Sequence, residues 1–181
     1  MAGSIDLCVT DANGFGVFDY RFLNRYGNGQ EIRVSSINDT IGQIINIANQ
    51  RSVKIKNLYF NGHGAPGYQG VGSGTGRDTT GNKSLQVDPS DKSWNGQLLG
   101  AGSSLFLIID SLAEGATVTL SGCRVAEGTD GKVLLRAVAT TLNVWVQAAD
   151  ATQFAWIPGW EGKVWKCSPD GQILCPNGDY T

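Results

Sequence analysis

Histidine is almost missing from this chain, with His63 the single example in 181 residues. Cysteine is scarce too: Cys8, Cys123, Cys167 and Cys175 are the whole set, and no two are spaced C-x-x-C. So few and so scattered, these residues exclude a structural zinc site and a disulfide scaffold. No run approaches the ~20 apolar residues that span a bilayer. Residues 1–6 offer neither the basic nor the apolar region of a secretion signal. Free thiols and the lack of such a signal make the cytoplasm the expected compartment, with an effector exported by a dedicated machine equally compatible. Clustered positive charge is also absent. The 14 Lys and Arg are dispersed and the net charge is -2, which argues against nucleic acid or an acidic membrane as partner. The glycines at 72, 74 and 76 are not followed by a helix, as a phosphate-binding loop requires, so no cofactor is expected.

What is present is an alternation of β-like and helical segments in a chain of single-domain length. Ile5, Leu7 and Val9 alternate with Asp6 and Cys8, predicting a strand over 4–10 that ends at Asp11 before the turn-prone Asn13-Gly14 pair. In the N-terminal part, 1–37, the segments 17–23 and 32–37 read as arms of a hairpin around Gly27-Asn28-Gly29. Asn38, Asp39 or Thr40 is expected to cap a helix carrying Ile41, Ile44, Ile45 and Ala48 and ending near Gln50, with a strand over 55–61 after it. Leu105, Ile108, Ile109 and Leu112 form a second helical stripe, stopped by Gly115 and followed by a strand over 116–121. Thr129 or Asp130 is expected to cap a third helix with Val133, Leu134, Ala137, Val138 and Thr141, before a strand over 144–149 that ends at Asp150. Strand, helix, strand in repetition predicts parallel crossovers and an α/β fold.

Two segments stand apart. The Gly-rich stretch 67–97 has no periodicity and reads as a long loop, either a functional lid or without structure. The tail 154–181 carries Trp156, Trp160 and Trp165 and the turn Ser168-Pro169-Asp170-Gly171, which predicts a C-terminal hairpin laid on the main sheet. A four-residue loop there pairs Cys167 with Gln172. Cys175 is then out of register for a bridge, so both thiols are expected free.

Ligands of an open parallel sheet bind at the carboxyl ends of its strands, and these assignments put Asp11, His63, Cys123 and Asp150 at such ends. A cysteine nucleophile needs a group that takes its proton, and histidine does so near neutral pH. His63 is the one available. Gly62-His63-Gly64 and Gly122-Cys123 clear bulk from both reactive groups, and the Gly64 and Cys123 amides are the natural donors to an oxyanion. The competing reading is that Cys123 and His63 simply pack, as lone cysteines and histidines often do. Cys8, in mid-strand, reads as core.

The strings Asn61-Gly62-His63-Gly64-Ala65-Pro66-Gly67 and Leu120-Ser121-Gly122-Cys123-Arg124-Val125-Ala126-Glu127-Gly128 resemble those of the caspase-like (clan CD) cysteine peptidases. They look closest to bacterial caspase-like domains with GHG-x-x-G and GC-x-VA-x-G strings. The resemblance covers roughly residues 50–153. It implies one caspase-like domain over 1–181, a three-layer α/β/α sandwich with a mostly parallel sheet, to which the N-terminal and C-terminal hairpins are added. It also implies His63 as general acid/base, Cys123 as nucleophile, and the Gly64 and Cys123 amides as oxyanion hole. Metacaspases flank their cysteine with acidic and histidine residues where this chain has Ser121 and Arg124, so specificity does not transfer. Asp150 and Asp11 are candidates to pair with a basic substrate side chain, Arg124 with an acidic one.

The implied partner is a protein or peptide substrate, and 67–97 could be a segment the enzyme cuts in itself. Two other readings stay open. One is a catalytically silent caspase-like module binding a protein through 67–97 and the tail tryptophans. The other is a Cys/His amidase acting on a cell-wall peptide or another small amide.

Overall fold

The computed structural model describes residues 3–13, 30–88, 90–91, 93–153 and 160–175. Strands β1 (Gly3–Asp11), β2 (Gln30–Val34), β3 (Val53–Asn61), β7 (Leu112–Leu120), β8 (Trp145–Ala149), β9 (Val164–Cys167) and β10 (Ile173–Leu174) form a seven-stranded sheet in the order β10-β9-β8-β7-β3-β1-β2. The five strands from β2 to β8 run parallel, and β9 and β10 add an antiparallel edge. The chain is thus an α/β protein with a mostly parallel mixed sheet.

Helix α1 (Ile37–Arg51), a 3₁₀ segment (Gly100–Ser111) and helix α2 (Gly128–Leu142) supply the connections. Each carries the chain one way across the sheet, from β2 to β3, β7 and β8, and right-handed crossovers in one direction stack on one face. The 3₁₀ segment indeed touches both helices. Rows Leu7–Leu58–Val118–Val146 and Val9–Phe60–Leu120–Ala148 turn to this helical layer, and all eight residues are within 1 % of complete burial.

The opposite rows are mixed: Asp6–Asn57–Thr117–Trp145, and Cys8–Tyr59–Thr119–Gln147, of which Cys8, Tyr59 and Thr119 are buried. Asn57 donates to Asp6 Oδ1 at 2.7 Å and Gln147 to Thr119 Oγ1 at 3.0 Å. Among the described residues the helical connections of the expected sandwich stack on one face, as their one-way order requires. Alternation holds only in the N-terminal halves of β1, β3 and β7, and their C-terminal halves are buried on both faces.

Several local expectations shift for physical reasons. Helix α1 is capped by Ser36, whose hydroxyl accepts from Asp39 N at 3.1 Å, instead of by Asn38, Asp39 or Thr40. Fully buried Ile37 has to belong to the helix, and this moves the cap outward. Helix α2 likewise starts ahead of Thr129 and Asp130, with Glu127 at its N-cap and no side-chain cap bond. The stripe at 105–112 is a 3₁₀ helix, so burial recurs every third residue, at Gly102, Leu105, Ile108 and Ser111. Ile109 is consequently 40 % exposed, and Leu112 already opens β7.

The stretch 67–97, expected as a long loop that is either a lid or without structure, carries two short strands among its described residues. These strands, β5 (Tyr68–Gly70) and β6 (Ser84–Gln86), form a second, antiparallel sheet with β4 (Gly64–Ala65), which directly precedes the stretch. Asp78 organises the crossing: its carboxylate accepts from Lys83 N at 2.7 Å, Thr80 N at 2.9 Å and Thr80 Oγ1 at 2.7 Å. Such side-chain to backbone bonds replace hydrophobic periodicity.

At the N-terminus, one proposed hairpin arm, 17–23, lies outside the described residues. The other is the shorter strand β2, which pairs with β1 in parallel. The C-terminal hairpin is present, and it extends the sheet edge through β9 on β8 instead of lying on the sheet. Cys167 pairs with Ile173, one residue beyond the expected Gln172, and Cys167 and Cys175 are free thiols. No helix among the described residues is long and apolar enough to cross a membrane.

Candidate active site

The parallel strands bring the sequence candidates to one sheet edge. Thr10 pairs with Asn61, Phe60 with Leu120, and Leu120 with Ala148. Asp11, His63, Cys123 and Asp150 follow these positions within a few residues, on four adjacent strand ends. His63 and Cys123 are both half-buried, and Cys123 is a free thiol.

The His63 and Cys123 loops meet through glycines. A β-carbon on Gly64 would lie 2.6 Å from both the nitrogen and the oxygen of Cys123, and one on Gly122 would lie 2.7 Å from the Gly64 α-carbon. Only glycine permits this approach. The turn after His63 is tied to the same loop, since Gly67 N donates to Val125 O at 3.1 Å. On the other side Arg124 N donates to Ala151 O and Ala126 N to Ala149 O, both at 2.9 Å. The Cys123 turn is thus clamped between the ends of β3 and β8.

The Cys123 sulfur contacts a strap beyond β8. Gln153 N donates to Sγ at 3.3 Å, and Sγ lies 3.6 Å from Gln153 O, to which its proton can be donated. Gln153 Nε2 donates to Glu161 O at 2.9 Å, and Glu161 N donates to Gln153 Oε1 at 3.2 Å, fastening the strap to the segment before β9.

The three charged candidates are occupied within the chain. Asp11 is 4 % exposed and accepts from Asn13 N at 2.8 Å and Gly74 N at 3.0 Å, pinning the Gly-rich stretch to β1. Asp150 accepts from Lys163 N at 2.8 Å and Trp165 Nε1 at 3.0 Å, anchoring β9. Exposed Arg124, at φ 57°, pairs through Nε with Glu127. The other two cysteines of the described strands are poor nucleophiles. Burial pushes the Cys8 thiol up to about 12, with Glu31 and Asp6 adding to the effect and Asn61 opposing it. Burial also raises Cys167 to about 12.

Sequence reasoning missed two features. Gln69 is fully buried between the His63 and Cys123 loops, accepting from Gly122 N at 2.9 Å and donating to Gly70 O at 2.9 Å. Its role depends on the small second sheet, for which the composition of 67–97 gave no signal. Thr10 Oγ1, Asn61 Oδ1 and Ser121 Oγ are buried with no hydrogen-bond partner among the described residues, in a row across the ends of β1, β3 and β7. Each costs about 1–3 kcal/mol while unpaired. A cleft of about 300 Å³ lies beside Pro66 and Gly67, walled in part by Arg77, Asp88, Asp91 and Asp130, and contains neither His63 nor Cys123. No group of three or more His, Cys, Asp or Glu among the described residues is placed to hold a metal ion.

Compared with protein-family models, curated proteins and solved structures, the chain matches none.

Proposed function

We propose that the chain is a cysteine endopeptidase of caspase-like type, its mostly parallel sheet presenting a His63/Cys123 dyad at the strand ends. The observation that supports this most is the glycine contact that packs the His63 loop onto the Cys123 peptide. In the proposed reaction His63 takes the Cys123 thiol proton, and the thiolate adds to the carbonyl carbon of the scissile peptide. The Gly64 and Cys123 amides receive the charge that develops on the carbonyl oxygen. As the C–N bond breaks, His63 returns the proton to the leaving amine, and a thioester remains on Cys123. Water, deprotonated by His63, then releases the carboxylate and restores the thiol. Asp11, Asp150 and Arg124 hold the site together in this proposal instead of reading a charged substrate side chain.

A positional-scanning peptide library tests the reading. Cleavage by the intact chain that is lost in both Cys123→Ala and His63→Ala is the expected result, and a folded protein that cuts no member refutes it.

The strap across Cys123 favours one other reading, a catalytically silent module of the same fold, because Gln153 already occupies the sulfur. Such a module binds its protein partner equally well as Cys123→Ala and never labels with an electrophilic peptide. A Cys/His amidase shares the same chemistry, and small amides in the screen separate it from an endopeptidase.

A further inference from the structure

We infer that Gln69 is a positioning residue for the proposed nucleophile, linking the His63 and Cys123 loops through a single buried amide. The inference rests on the cysteine-hydrolase reading and adds a residue to its machinery. Gly70 N donates to His63 O at 2.7 Å, and Gly70 O accepts from Gln69 Nε2 at 2.9 Å. Gln69 Oε1 in turn accepts from Gly122 N at 2.9 Å. Three hydrogen bonds therefore run from the peptide of the base to the peptide preceding the nucleophile, and the central side chain is 0 % exposed.

The arrangement does two things. It fixes the Gly122 N–H, on the peptide one before that of the Cys123 amide, and so restrains the turn that carries the Cys123 amide and Sγ. It also consumes the Gly122 N–H, which leaves the Cys123 N–H as the donor of that turn for an oxyanion. The close packing adds to this, because a β-carbon on Gly122 would lie 2.9 Å from Gln69 Oε1. No shorter or charged side chain meets both demands. Asn falls short of the span, Leu bonds neither group, and an ionised Glu accepts from Gly122 N while opposing Gly70 O.

The test is the rate at which iodoacetamide alkylates Cys123, followed by mass spectrometry across pH, with peptide turnover measured alongside. Gln69→Leu is expected to slow Cys123 alkylation near neutral pH about tenfold and to lower kcat more than it raises KM, as a misaligned reacting group does. Gln69→Glu gives the signature that a merely structural role does not. Its protonated carboxyl reproduces both bonds and its carboxylate only one, so its alkylation rate relative to wild type should fall as pH rises. A folded Gln69→Leu with wild-type alkylation and kcat overturns the inference. If Gln69→Leu does not fold, a Gln69→Glu to wild-type ratio that stays flat with pH overturns it equally. Failure of the wild-type chain to cleave any peptide defeats the endopeptidase reading alone, because the alkylation ratios still decide Gln69.

Discussion

Gly64 and Cys123 touch through their backbones: a β-carbon at position 64 would stand 2.6 Å from the Cys123 nitrogen and 2.6 Å from its oxygen. Neither atom can rotate away as a side-chain end would. Gly64→Ala should therefore push the two loops apart, at a cost of about 2 kcal/mol in stability. Any turnover that depends on their alignment should fall on the order of 100-fold. Urea unfolding and peptide cleavage measure the two effects separately. An alanine variant with unchanged stability and turnover would show that the contact is not a constraint.

Thiol reactivity should divide the cysteines. Burial holds Cys8 and Cys167 at about 12, so almost none of either is thiolate near neutral pH. Cys123 and Cys175 are the half-buried pair. With limiting iodoacetamide at about pH 7.5, the label should appear on Cys123 first, on Cys175 next, and on Cys8 and Cys167 only after unfolding. Peptide mapping reads the order directly, and early labelling of Cys8 would contradict the burial argument.

The same two thiols set an alkaline limit on stability. Each is neutral when protonated, ionises near 9.0 when unfolded and near 12 when folded. Above 9.0 the unfolded chain releases these protons first, so rising pH favours unfolding. Their contribution is complete below 9.0 and is lost progressively up to about 12. Between about pH 9 and 10.5, Cys167→Ala should lose unfolding free energy less steeply than wild type. Parallel curves in urea titrations would exclude this origin.

Asp78 should prove to be the organiser of 67–97. Partial burial opposes its charge, but bonds from Lys83 N, Thr80 and Ser84 outweigh that and hold the carboxyl below its ordinary value. The stabilisation is therefore present above the ordinary value of 3.8 and lost as pH falls through the lower folded one. Asp78→Ala should destabilise the chain by about 1 kcal/mol, because the exposed donors it leaves are taken up by water. It should also admit a probe protease between 75 and 83, where wild type resists. Equal cleavage of the two proteins would mean that the small sheet holds without this residue.

Much of the frame was legible from local pattern. Alternation at Ile5, Leu7 and Val9 and the apolar run 58–60 identified strands, whereas the glycines beside His63 and Cys123, read as room for a substrate, bring the two loops together. The strand signals depend on residues near one another in sequence, and the glycine contact does not. The 3₁₀ segment escaped because an apolar spacing of three or four fits an α-helix as well, and only packing against two helices selected a period of three. Ser36 was passed over as the cap for a similar reason: burial of Ile37 decided it.

A single histidine and a glycine-flanked cysteine made His63 and Cys123 the candidates for the proposed dyad from composition and local spacing. The sequence by itself also determined the α/β order, because crossover and strand periodicities are local. Tertiary structure alone decided how they are held. Gln69 sits in a stretch without periodicity and matters only because antiparallel pairing of β4 with β5 carries it between the two loops. Asp11 and Asp150 looked like free carboxylates at strand ends until partners 63 and 13 residues away filled them. Hydrogen bonds over such separations leave no trace in composition or spacing, because their geometry exists only once the strands have met.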